Sequence, residues 1–105
     1  MVLKGKRLGV LLSTAPAHPN FTHGLRLAET AVGRGMEVYL YCIDDAVTGL
    51  THPLLQSLKA RGLRLYACAQ AAQRRQIPMN DDAVFSGLSV VSDLMASTER
   101  FVSFN

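Results

Sequence analysis

The sequence predicts a small α/β domain built on a mainly parallel sheet. Two observations carry this. Short, continuous apolar runs rich in branched and aromatic residues recur along the chain, as strands buried on both faces require. Between them, apolar residues repeat at helical spacing, and strands alternating with such helices form right-handed βαβ units. A third observation sets the scale: 105 residues fill one domain, 1–105, and leave no room for a second.

The first strand is Leu8-Gly9-Val10-Leu11-Leu12. A helix follows, marked by Leu25, Ala28, Ala31 and Val32, with Gly33 and Gly35 bracketing its stop. Val38 to Ile43 is the second strand. Leu54, Leu55 and Leu58 mark a second helix, ended by Gly62. Leu63 to Ala67 is the third strand, and Ala69 to Gln76 a third helix, closed before Pro78. Val84-Phe85 forms a short strand ahead of a fourth helix marked by Leu88, Val91, Leu94 and Met95. Phe101 to Phe104 is the last strand. Thr14 to Asn20, Asp44 to Pro53 and Ile77 to Asp82 are the longest irregular segments, and no internal repeat interrupts the pattern.

Composition narrows the function classes. With 49% apolar and 18% charged residues the chain has a globular balance rather than a disordered one. No apolar run approaches the ~18 residues of a membrane span. The basic start is followed only by Leu8 to Leu12, too short for the apolar region of a signal peptide. The expectation is a soluble, cytoplasmic protein. There, Cys42 and Cys68 are free thiols, since two cysteines make no disulfide framework. A formal charge of +3 permits weak attraction to acidic partners. Basic residues without interleaved aromatics or a known binding motif argue against nucleic acid.

In an open parallel sheet, ligands bind at the carboxyl ends of the strands. Here that edge is built from Ser13 to His23, Cys42 to His52 and Cys68 to Gln70. Both cysteines, all three histidines and the Asp44-Asp45 pair fall on it. Lys4, Lys6, Arg7, Arg34, Lys59, Arg61 and Arg64 collect at the opposite edge, where cations near helix C-termini complement the dipole by ~0.3–1 kcal/mol each.

Cys68 is the leading candidate on the ligand edge. It stands where a strand gives way to a helix, and a thiol at a helix N-terminus is biased toward the nucleophilic thiolate. The small neighbours Ala67, Ala69, Ala71 and Ala72 leave room for access, whereas a buried, inert cysteine is the competing reading. Arg74 and Arg75, ~9 Å of helical rise away, are expected at the far end of that helix. Cys42 ends an apolar strand and reads as buried filler. If its strand neighbours that of Cys68, it is a second thiol, provided the Cα atoms lie within ~7 Å. His18, His23 and His52 match no compact ligand spacing, so no metal site is expected. His23 is instead a candidate to orient or protonate a group at Cys68. Asp44 and Asp45 suit a turn, with general-base duty as the alternative. Ser13-Thr14-Ala15-Pro16-Ala17 lacks the glycines and lysine of a phosphate loop, and no dinucleotide fingerprint is present.

The stretch Leu65-Tyr66-Ala67-Cys68-Ala69-Gln70-Ala71-Ala72-Gln73-Arg74-Arg75 resembles the cysteine segment of the DsrE/DsrF-like sulfur-relay family. Leu27 to Ala31 with Gly35 to Val38, then Asp45-Ala46-Val47, then Val84 to Phe104 follow in the family's order, so the resemblance spans nearly the whole chain. Ala69 and Gln76 stand where members often carry glycine. The resemblance implies a three-layer α/β/α domain with a five-stranded, mainly parallel sheet. It implies a homo-oligomer, trimer or hexamer, with the cysteine near a subunit interface. It also implies a persulfide on Cys68, received from a donor protein and passed to an acceptor. A thiolate attacking sulfane sulfur needs neither metal nor organic cofactor. Ser13, His18, His23, Asp44, Asp45 and Ala69 would form the substrate or partner edge around it. Two other readings compete: a non-catalytic subunit that binds a small ligand or partner, and a redox protein using a Cys42–Cys68 pair.

Overall fold

The computed structural model describes residues 2–105, so Met1 lies outside the described residues. Five strands form one sheet: β1 (Arg7–Leu12), β2 (Glu37–Cys42), β3 (Arg64–Cys68), β4 (Val84–Ser86) and β5 (Arg100–Phe104). Four α-helices alternate with them: α1 (Pro19–Gly33), α2 (Pro53–Ala60), α3 (Ala69–Arg74) and α4 (Ser89–Ser97). The sheet order is β4-β3-β2-β1-β5, and every neighbouring pair is parallel.

The order dictates the layers. From β1 to β4 the chain steps one way across the sheet, so right-handed crossovers stack α1, α2 and α3 on one face. The return from β4 to β5 runs the other way and leaves α4 on the opposite face. The result is a three-layer α/β/α fold. Side chains alternate between the layers. Leu8, Val10, Leu12, Val38, Leu40, Cys42, Leu65 and Ala67 point toward α1–α3 and are buried. Gly9, Leu11, Tyr39, Tyr41, Tyr66 and Cys68 point the other way, where α4 covers only the β1–β5 side. At Gly9 a Cβ would stand 2.5 Å from the Phe101 ring and 3.4 Å from Thr98 at the end of α4, so the closeness of that layer requires glycine.

The helix ends follow one recipe. His18 and His52 each cap a helix whose first residue is proline, and their Nδ1 atoms accept from the Asn20 and Leu54 N–H groups at 3.1 and 3.2 Å. Proline has no N–H to satisfy at that position, and its fixed φ suits the first turn. Left-handed residues stop α1, α2 and α3: Gly35 at φ +80°, Gly62 at +111° and Gln76 at +55°. In each case the next amide donates back into the last turn, at 3.1, 3.0 and 2.9 Å.

Strand ends differ from the sequence reading by one residue, and three differences bear on the site. Cys68 is the last residue of β3 rather than a residue beyond it. The helix after it ends at Arg74, because Gln76 turns left-handed. Asp44–Gly49, expected to be irregular, is a 3₁₀ helix packed by Ala46, Val47 and Gly49.

Candidate functional site

The residue at the end of β3 is fixed from two sides. Cys68 pairs in register with Ser86 across the β3–β4 ladder, and its Sγ accepts a hydrogen bond from the Ala71 N–H at 3.4 Å. The side chain therefore turns toward the first turn of α3 at the carboxyl edge of the sheet. Cys68 is only 7% exposed, yet it lines an open cavity of about 440 Å³ with Ile43, Asp44, Gln70, Arg74, Arg75 and Leu88.

Behind the thiol lies Tyr41, fully buried, whose hydroxyl donates to the Ser86 and Gly87 carbonyls, both at 3.2 Å. Burial pushes the Tyr41 phenol above its ordinary pKa. The nearby Ser86 side chain opposes that shift and the adjoining Cys68 sulfur reinforces it. The Ser86 hydroxyl is buried without a hydrogen-bond partner. A tyrosine, a serine and a cysteine thus meet on one face of three adjacent strands.

The two arginines are not where helical rise alone puts them. Because α3 has only six residues, Arg74 and Arg75 fold back to line the same cavity as Cys68. Arg75 donates to Asp45 Oδ1 at 2.9 and 3.2 Å and to the Ala71 carbonyl at 3.2 Å, tying α3 to the 3₁₀ helix. Arg74 is exposed and makes no ion pair among the described residues.

The other expected site residues divide. Asp44, at φ +52°, lines the cavity; Asp45 serves it through Arg75; Ala69 follows the thiol directly as the first residue of α3. Ser13 lies two strands away, at the β1–β5 corner, where its hydroxyl bonds Asn105 Oδ1 at 2.9 Å. His18 and His52 are helix caps, and His23 is an exposed residue of α1, so none of the histidines lines the cavity. Among the described residues no cluster of three His, Cys, Asp or Glu side chains could hold a metal ion.

Cys42 is paired with Ala67, one residue out of step with Cys68. Period-two alternation then puts the two thiols on opposite faces of the sheet, and the second-thiol geometry is absent. Full burial pushes the Cys42 thiol up to about 12. Tyr41, Ser86 and Leu88 were missed by the sequence reading. The signal that could have found Tyr41 is the alternation itself: once Cys42 faces the helices, Tyr41 must face away with the cysteine of the neighbouring strand.

The sequence matches the family described as DsrE/DsrF-like over residues 6–104. Among solved structures, the crystal structure of the YchN protein from E. coli aligns with a TM-score of 0.79 at 18% identity, covering 95% of this chain and 99% of that one. At that identity the likeness concerns the fold. No curated protein matches the chain significantly.

Proposed function

This chain belongs to the DsrE/DsrF-like family, and on that premise we propose that it is a sulfur carrier, holding sulfane sulfur as a persulfide on Cys68 and passing it to partner proteins. The observation that carries the reading is the place of Cys68: a thiol oriented by the Ala71 N–H and lining a cavity on the carboxyl edge of a parallel sheet. Thiolate attack on sulfane sulfur adds one S–S bond of ~2 Å, which carries the outer sulfur toward the cavity mouth. There a second thiol meets it.

Low exposure favours a second reading, a non-catalytic subunit in which Cys68 is inert filler. Intact-mass analysis separates the two. After incubation with polysulfide, the carrier gains one or more sulfur atoms, the gain is removed by reductant, and Cys68→Ser gains none. No gain in either protein, together with a native thiol resistant to alkylation, supports the inert subunit.

We further infer a cytoplasmic homo-oligomer, trimer or hexamer. Its support is the sheet face that α4 leaves uncovered. Tyr39 and Tyr66 are half-buried there and Val84 is 59% exposed, while Leu88 and Met95, at the start of and within α4, are 55 and 60% exposed. Among the described residues no helix is long and apolar enough to cross a membrane.

A further inference from the structure

The cavity over Cys68 carries more positive groups than a thiol needs, and we infer that it admits a small anionic sulfane-sulfur donor of the thiosulfate class, with Arg74 and Arg75 holding the oxyanion end. The inference rests on the persulfide reading of Cys68 and names the donor that loads it.

The size fits. About 440 Å³ holds a small tetrahedral anion with several waters, each water taking ~30 Å³ of liquid volume. The low exposure fits as well. A thiol 7% exposed in a cavity lining is reached by a slim donor more readily than by a cysteine on a folded protein. The charges are arranged for it. Arg75 lines the cavity and is held by Asp45 and the Ala71 carbonyl, so its guanidinium is preorganised. Asp44 lies in the lining and Asp45 pairs with Arg75, so Arg74 is the cation of this cavity that carries no ion pair among the described residues.

The step balances without an oxidant. The Cys68 thiol first gives its proton to solvent. The thiolate attacks the outer sulfur of thiosulfate, a new S–S bond forms, and the bond to the sulfonate sulfur breaks. The electron pair leaves with sulfite, so the products are the Cys68 persulfide anion and sulfite. Guanidinium groups in the lining stabilise the charge that moves onto the leaving group.

The test compares thiosulfate, which leaves a persulfide, with a neutral organic trisulfide. Attack by the thiolate on the trisulfide expels a thiolate or persulfide and leaves a mixed trisulfide or disulfide. The Cys68 adduct on intact protein is measured against time for wild type, Arg74→Gln, Arg74→Lys and Cys68→Ser. Arg74 is exposed and makes no ion pair among the described residues, so its variants are expected to fold. Thiosulfate loading of wild type should saturate and be slowed by sulfate. Arg74→Gln should lower the thiosulfate rate, relative to the trisulfide rate, by about tenfold, and Arg74→Lys should recover part of it. Three results would overturn the inference while leaving Cys68 a carrier: loading from the trisulfide alone, loading from thiosulfate that never saturates, or an unchanged ratio in Arg74→Gln. The second and third would assign the arginines to an acidic protein partner. Loading of wild type from neither donor would overturn the persulfide reading itself.

Discussion

Cys68 and Ser86 face each other in register across the β3–β4 ladder, and the serine hydroxyl is buried with no hydrogen-bond partner. A buried hydroxyl left unpaired costs ~1–3 kcal/mol, whereas removing an unpaired polar group is close to neutral or stabilising. Ser86→Ala is therefore expected to leave the stability of the resting protein unchanged or slightly raised in urea unfolding. A loss above about 1 kcal/mol would mean that the hydroxyl is bonded in solution, with the neighbouring Tyr41 hydroxyl a candidate partner.

Cys42 makes the alkaline limb of stability predictable. Burial raises its thiol from the ordinary 9.0 to about 12 in the folded chain. A group whose folded pKa is raised stabilises fully below the unfolded value, and that contribution is lost as pH climbs through the folded one. Folding free energy should thus fall above pH 9, by up to ~1.4 kcal/mol for each pH unit, with the raised Tyr41 phenol adding to the fall at higher pH. Urea midpoints of wild type and Cys42→Ala, taken below and above pH 9, check this. The variant should start lower, because it leaves a small cavity, and then decline less steeply. Parallel slopes would place the alkaline sensitivity elsewhere.

The fold was legible because its signals are local and repeated. Val10, Leu40 and Leu65 sit in apolar runs, Leu25 and Ala28 repeat at helical spacing, and Gly35 and Gly62 close helices where left-handed backbone is needed. The site was legible only at Cys68. Arg74 and Arg75 were placed by rise along a longer helix, and the left-handed Gln76 that shortens α3 carries no glycine to announce it. Tyr41 and Ser86 reach the cysteine through strand register, which depends on contacts remote in sequence. The histidines misled for a simple reason. His18-Pro19 and His52-Pro53 are helix starts, with imidazole doing the work usually given to serine or aspartate.

Gly49 locks the 3₁₀ helix against the start of α1. A Cβ there would lie 2.5 Å from the fully buried Phe21 ring and 2.7 Å from Cγ of the partly buried Pro16. Overpacking of this kind costs ~1–3 kcal/mol. Gly49→Ala should lower the urea midpoint by that amount, while Gly33→Ala, where nothing lies within 4 Å of the added carbon, should hold or raise it. If the two variants behave alike, Gly49 is not packed as the contacts indicate.

Val84 tests the assembly. It is 59% exposed on the short edge strand β4, on the face that α4 leaves open, two residues before Ser86 and on the same side of the sheet as Cys68. A large apolar side chain so exposed, with Leu88 and Met95 half-exposed beyond it, marks a surface that gains by being covered. A closed ring of copies also covers the β4 edge, whose unpaired backbone groups would otherwise remain open. Val84→Glu places a charge in the middle of that contact, and burying an unpaired charge costs more than such an interface returns. Sedimentation velocity should show wild type as a trimer or hexamer and the variant as a monomer, with unchanged far-ultraviolet circular dichroism. Wild type sedimenting as a monomer over the full concentration range would remove self-association. An oligomer untouched by Val84→Glu would move the interface to another face. In the monomeric variant Cys68 should also react faster with a bulky alkylating reagent, because the cavity mouth and the covered face share Leu88.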